Sequence, residues 1–443
     1  MDRLLWGLEV NADDHLVLGG CDLVTLATTY GTPLHVVDEG RLRGNYRRFL
    51  AAFQGLYPAT KVFYSYKTNC IPGILSLLHD EGCGAEVISP YEAWVACRLG
   101  VKGADIVYNG VARSRRDFEA AIERGVGLIN VDSLEELHHL AQAAEGRERT
   151  VNVGIRVDPE VGWRAHFGFH PRADRLLARA AELRGHRSLN LCALHAHIGS
   201  GLRETGSYER MVDTLCSLIR ELGSRSGIAI TGLDLGGGFG VPTVKMLNVC
   251  EMALYRLLNV APRPPRAEDC PSIETFGHVL TGVLLDRCAR YGLEVPSLFL
   301  EPGRAITSDA QLLLLTVKDV KQHGNGTAFA IADGGMQNIA FPLAYEYHHA
   351  FLTSRASAPR ERRYFVTGSL CSPQDLLYRN WALPTLRAGD VLAVMDAGAY
   401  FTSFANNFSY PRPPVVCVSG GRHRILRERE TFEQMTAVDG FQG

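Results

Sequence analysis

No single charge dominates this chain of 443 residues: 46 Lys and Arg stand against 48 Asp and Glu, a net charge of −2. That balance lacks the basic surface a nucleic-acid binder needs, and it leaves no charge block to form a disordered tail. Long hydrophobic runs are also missing. Nothing reaches the ~18 apolar residues of a membrane span. The opening Met1-Asp-Arg-Leu-Leu-Trp-Gly7 has no signal-peptide core, so the expectation is a cytoplasmic protein with no membrane partner. Cysteine is present eleven times, but the closest pair is Cys70 and Cys83. No Cys-x-x-Cys spacing exists, which points to reduced thiols and no bound metal. What is present, 46% hydrophobic residues over a length too great for one core, calls for two domains.

From about residue 60 to 305 short apolar strands alternate with helical patterns. The strands are read at Val62–Tyr66, Ala85–Ser89, Asp105–Tyr108, Gly127–Val131, Val151–Val157, Leu191–His197, Gly232–Leu235 and Ser297–Leu300. Amphipathic stretches such as Pro90–Leu99, Ser133–Ala144 and Ser207–Leu222 lie between them. Eight strands with helical connections predict a (β/α)8 TIM barrel. Beyond Leu312 apolar runs are split by Gly and Pro: Leu313–Val317, Phe329–Asp333, Tyr364–Thr367, Val391–Met395 and Val415–Val418. That texture predicts a C-terminal antiparallel β-barrel or sandwich domain. Leu16–Leu18 and Pro33–Asp38 look strand-like and are expected to join it. The expected division is 1–38 with the β-domain, 39–310 as the barrel and 311–443 as the β-domain. Pro262–Pro271 is read as an exposed loop.

A barrel gathers its chemistry at the C-terminal ends of its strands. Here those ends carry Lys67, Arg156, His195-Ala-His197-Ile-Gly-Ser200, Gly236-Gly-Gly-Phe-Gly240 and Glu301-Pro-Gly-Arg304. The last two positions are where barrels commonly hold a phosphate, with backbone N–H groups that only glycine lets approach. An amine able to form a Schiff base, a ring-sized histidine, a phosphate nest and a buried carboxylate together fit pyridoxal 5'-phosphate (PLP). Taken singly, each has an ordinary explanation: a solvated lysine, a core histidine, a tight turn, a structural ion pair.

Further motifs follow: Ala332-Asp-Gly-Gly-Met336, Cys371-Ser-Pro-Gln-Asp375, Asp396-Ala-Gly-Ala-Tyr400 and Asn406-Asn-Phe-Ser-Tyr-Pro-Arg-Pro413. With Tyr66-Lys67 and the strand-end motifs, they make the chain resemble the PLP-dependent group IV decarboxylases, whose barrel is alanine-racemase-like (fold type III). The resemblance runs from about Pro33 to Val418 and is nearest to the diaminopimelate decarboxylase-like branch. It implies that Lys67 carries PLP and that His197 stacks on its ring. Ser200, Gly237, Gly238, the backbone near Arg304 and Tyr400 would hold the phosphate, and Glu86 and Arg156 would surround the cofactor. Glu301 would sit by the pyridine nitrogen and keep it protonated, since an opposite charge favours the charged form. Related racemases place an arginine there, so glutamate favours decarboxylation. Cys371 would serve the partner subunit's site in a homodimer with shared active sites and return a proton to Cα, with Asp375 as its companion.

The departures concern substrate. The resemblance leads one to expect a glutamate after the cysteine and an arginine before the proline of Met336-Gln-Asn-Ile-Ala-Phe341-Pro342; Ser372 and Phe341 stand there instead. Arg304 and Tyr345 are kept. An ornithine-type pocket would need an aspartate at Ser372. Arg304, Tyr345, Ser372, Asp375 and Phe341 thus form the expected substrate-binding set, and Tyr345, Tyr347, His348 and His349 are placed at its entrance. Losing one cation and one anion argues for a less charged or conjugated α-amino acid, in siderophore or other specialised metabolism, with a carrier protein as a conceivable partner. The alternatives are meso-diaminopimelate decarboxylation in lysine biosynthesis and a non-catalytic regulator.

Overall fold

The computed structural model describes residues 1–440 except 146, 148, 164–165, 172–177, 179–184 and 325; the side chains of 340–344 also lie outside the description. The chain divides into two units. One comprises Met1–Gly44, Val241–Asp269 and Ile306–Gly443; the other comprises Asn45–Gly240 and Cys270–Ala305.

The second unit is a closed barrel of eight parallel strands. In chain order the strands are Thr60–Ser65, Gly84–Val87, Ile106–Tyr108, Leu128–Val131, Val151–Arg156, Leu189–His195, Gly232–Asp234 and Ser297–Leu300. Each pairs with the next, and the ring closes where Leu298–Leu300 run beside Thr60–Val62. The strands are apolar on both faces because one face meets the barrel interior and the other the helices outside. Phe63, Val107, Leu128 and Ala193 cluster inside, with Phe299 set edge-on to Phe63.

Serines start the helices after the second, third and fourth strands. Ser89, Ser114 and Ser133 accept hydrogen bonds from the backbone N–H of Glu92, Asp117 and Glu136, which satisfies one orphan donor at each helix start. All three acids reach back in turn, and Asp117 accepts from the Ser114 N–H at 2.8 Å to complete a capping box. Glu92 accepts from the Ile88 N–H at 2.7 Å, and Glu136 pairs with buried Arg113 at 2.8 Å.

The first unit is built on a nine-stranded, mainly antiparallel sheet. Its spine, Gln311–Gln322, pairs antiparallel with Leu34–Asp38, Ala328–Ala332 and Val391–Val394. Two pairings are parallel: Leu34–Asp38 with Val415–Ser419, and Ala328–Ala332 with Arg362–Thr367. The spine explains its own sequence. Leu312 and Leu314 enter one core cluster, while Leu313, Leu315 and Val317 enter another. A strand buried on both faces needs a continuous apolar run, not alternation.

The expected segment at Pro33–Asp38 does join this sheet. Leu16–Leu18 lies in the same unit, where it pairs in a small sheet of its own with Glu9–Val10 and Cys21–Asp22. The sequence reading also passed over Leu376–Leu383, where Arg379 and Asn380 interrupt the apolar pattern. Tyr347, His348 and His349 do not line an entrance: all three are buried, with the Tyr347 hydroxyl 2.7 Å from His349 Nδ1 and Trp6 stacked on His349. Among the described residues no helix is long and apolar enough to cross a membrane.

Candidate active site at the barrel mouth

The first strand ends at Ser65, and Lys67 lies in the 3₁₀ turn Tyr66–Thr68 that follows. The turn lifts the side chain to the mouth, where it remains one-third exposed. Its Nζ donates to Glu86 Oε2 at 2.7 Å. Glu86, on the second strand, is fully buried and also accepts from Ser65 Oγ at 2.6 Å and from Asn109 Nδ2 at 3.0 Å.

Asn109 carries the network across the barrel. Its Nδ2 also donates to Glu301 Oε1 at 2.6 Å, and its Oδ1 accepts from Asn130 Nδ2 at 2.8 Å. Asn130 reaches Asp234 Oδ2 at 3.3 Å, while His195 Nε2 lies 3.6 Å from Glu301 Oε2. Residues at the ends of seven strands thus share one buried polar layer. In so dry a setting each hydrogen bond is strong and each unmet one costly. Burial works against ionisation of Glu301, but His195 and the charge of Lys67 near it hold its carboxyl well below the usual carboxylate range. Glu92, at the start of the next helix, goes the other way: burial, reinforced by the charge of Glu86, pushes it up to about 7.

Two loops form a cradle beside this layer. Gly240 N–H donates to Leu202 O and Leu202 N–H to Gly238 O, which ties the loop after the sixth strand to the glycine run after the seventh. The buried Tyr208 hydroxyl donates to Gly237 O at 2.8 Å and pins the run from below. Gly238 has φ +94°, and a Cβ there would meet Gly199 O at 2.4 Å; a Cβ on Gly237 would meet Glu301 O at 2.2 Å. Only bare backbone fits. Gly237 N–H donates to His197 Nδ1 at 3.1 Å, which leaves the proton of the neutral ring on Nε2. Burial, with the nearby Lys67 charge, pushes His197 down to about 3, so the ring is neutral at working pH.

Of the other expected barrel residues, Ser200 lies partly exposed in the loop after the sixth strand and Arg304 is buried just past Glu301. Arg156 lies 3.7 Å from Asp132 and under the Phe167 ring. Cys371, Ser372, Asp375, Tyr345 and Tyr400 belong to the β unit. There Asp375 is buried and accepts the N–H groups of Met336 and Leu370, each at 2.7 Å, so it braces the turn that exposes Cys371. Ser372 Oγ accepts from Gln374 N–H at 3.3 Å. Tyr345 is exposed with Arg256 over its ring, and Tyr400 adopts φ +69° at the start of a short helix. The Phe341 side chain lies outside the described ones. Asn109, Asn130 and Asp234 were not anticipated. Their one signal is a polar residue at the end of an apolar strand, visible in Leu233-Asp234-Leu235.

An amine beside a buried carboxylate, a neutral imidazole and a cradle of bare backbone suit an anionic aromatic aldehyde, so the residues present fit PLP. Residues 43–308 match the pyridoxal-binding domain of the pyridoxal-dependent decarboxylases. Diaminopimelate decarboxylase of Methanothermobacter thermautotrophicus is 34% identical over 442 residues, 97% of this chain and 96% of that protein. The corresponding enzyme of Methanocaldococcus jannaschii is 30% identical over 448 residues, 96% and 95% of the two chains. The solved structure of an M. jannaschii diaminopimelate decarboxylase in complex with L-lysine superposes with a TM-score of 0.85 at 28% identity, covering 98% of each chain. A match of this extent, through barrel and β unit alike, means that the chain belongs to the pyridoxal-dependent decarboxylases and is a PLP-dependent carboxy-lyase.

Proposed function

We propose that the chain decarboxylates meso-diaminopimelate or a close dicarboxylic relative. The observation that carries this reading is the 34% identity to a diaminopimelate decarboxylase across 97% of the chain. PLP supplies the electron sink for the pair left at Cα when carbon dioxide departs. The chain's own residues do the rest. Lys67 holds the cofactor through its amine, oriented by Glu86 at 2.7 Å. Glu301, ionised and buried, keeps a proton on the ring nitrogen. His197 fixes the ring plane, while Ser200, Gly237, Gly238, the backbone near Arg304 and the Tyr400 hydroxyl receive the phosphate. Arg156 stays a flanking cation. Cys371 of a partner subunit in a homodimer returns a proton to Cα, a general-acid step that a thiol can perform; Asp375 holds its turn in place. Arg304 and Tyr345 meet the substrate.

A second reading is favoured by one specific observation, the neutral Ser372 directly after Cys371. It is a conjugated or less charged amino acid of specialised metabolism, free or on a carrier protein, with Phe341 lining its pocket. The test is carbon dioxide release by the PLP-loaded enzyme on meso-diaminopimelate, lysine, ornithine, arginine and citrate-conjugated diamino acids, with Lys67→Ala as blank. Turnover of diaminopimelate at least tenfold above the rest supports the first reading. Turnover of a conjugate alone replaces it with the second. No release from any substrate, with no PLP absorbance, would indicate a regulator.

A further inference from the structure

Asp234 and Glu301 place two carboxyl groups side by side in the buried polar layer. Asp234 closes the seventh strand and is fully buried; its Oδ1 accepts Gly236 N–H at 2.9 Å and its Oδ2 lies 3.3 Å from Asn130 Nδ2. Glu301 follows the eighth strand and is 2% exposed. Ligand-capable atoms of His195, Asp234 and Glu301 all fall within 4.8 Å of one another. Like charges that close, away from water, do not both ionise.

The surroundings decide which one keeps the proton. On the Glu301 side stand His195, 3.6 Å away, and the Lys67 ammonium, with Asn109 donating at 2.6 Å. Asp234 faces Glu301 and the charge of Glu86; it receives the Gly236 N–H and the long contact from Asn130, and His195 lies within 4.8 Å of it as it does of Glu301. Arg156 is paired with Asp132, and His197 takes the Gly237 N–H. The Lys67 charge and the short hydrogen bond from Asn109 therefore favour a Glu301 anion.

We propose that Asp234 is a positioning residue that retains a proton and donates it in a hydrogen bond to the Glu301 carboxylate. The pair then carries a single negative charge, and that charge sits on Glu301. This rests on the role given above to Glu301 at the cofactor nitrogen. Burial and the neighbouring Glu301 push the Asp234 carboxyl well above its ordinary range, in keeping with the geometry. The hydrogen bond also restrains Glu301 from turning away. A bare second carboxylate would repel it.

The test uses infrared spectra of the purified protein at pH 7 minus those of Asp234→Asn, recorded once with and once without bound PLP. The expected result is a neutral-carboxyl C=O band in both forms that is absent from Asp234→Asn. Asparagine has the same shape, is always neutral and can donate through Nδ2. Asp234→Asn should therefore recover at least tenfold of the kcat lost in Asp234→Ala. The pH at which the cofactor's absorbance changes should move in Asp234→Ala and return in Asp234→Asn. Absence of a band removed by Asp234→Asn would overturn the proposal, as would an Asn variant as impaired as the Ala variant. If Asp234→Ala does not fold, the band and the Asn variant still decide. A band that behaves as expected alongside an unimpaired Glu301→Gln enzyme would refute the cofactor role of Glu301 while supporting the shared proton.

Discussion

Replacing Gly237 by alanine isolates the close approach on which the phosphate cradle depends. The backbone at Gly237 is not left-handed, so alanine is excluded by space alone. Its Cβ would stand 2.2 Å from Glu301 O, a backbone atom that cannot swing aside. A comfortable carbon–oxygen contact is about 3.3 Å, so one strand end must retreat by roughly 1 Å. Glu301 N–H bonds to Gly236 O at 2.8 Å, and a shift of that size breaks the bond. The lost hydrogen bond costs about 1 kcal/mol and the overpacking about 1–3 kcal/mol, for a total of about 2–4 kcal/mol. The control is Gly282, exposed inside the helix Ile273–Tyr291 with nothing within 4 Å of a new Cβ. Alanine there should stabilise by about 0.5–1 kcal/mol through helix propensity. Thermal melting should fall by roughly 5–15 °C in Gly237→Ala and rise slightly in Gly282→Ala. PLP titration should show at least a tenfold loss of affinity in the first and none in the second. A Gly237→Ala protein that melts no lower than Gly282→Ala and binds PLP normally would refute the reasoning.

Three further outcomes follow from the same geometry. Arg113→Ala leaves the buried Glu136 carboxylate without its cation and should cost about 3–5 kcal/mol by chemical denaturation, with Arg113→Met/Glu136→Leu recovering much of it. Glu92, pushed up to about 7 by burial, holds its proton more tightly folded than unfolded. Its contribution to stability is therefore complete below about pH 4.5 and lost as pH rises through about 7, a change of about 3 kcal/mol. Glu92→Gln should flatten the stability profile between pH 4.5 and 8 by about that amount. Asp375→Ala removes the acceptor for the Met336 and Leu370 N–H groups. It should lower kcat at least tenfold through the loosened Cys371 turn while the absorbance of bound PLP stays unchanged.

The barrel was legible because its strands are short, apolar and regularly spaced between helical segments, and that periodicity survives without knowledge of contacts. Lys67, His197, the glycine run and Glu301 were legible because each closes a strand, and a barrel collects strand ends on one rim. The β unit was less so. Leu376–Leu383 hides behind Arg379 and Asn380, and three of its polar-looking residues, Tyr347, His348 and His349, are core. Local pattern cannot separate a buried, hydrogen-bonded histidine from an exposed one, since both carry the same side chain.

The amino-acid sequence by itself determined the fold class, the cofactor chemistry and the identity of the strand-end residues. The tertiary structure alone decided which of them share charge and hydrogen bonds. Glu86, Asn109, Asn130, Asp234 and Glu301 are scattered over more than two hundred positions, yet they meet in one buried layer. Closing the eighth strand onto the first removes water from between them. In that low dielectric a proton must be shared out among the acids, and its place depends on distances that no linear pattern contains.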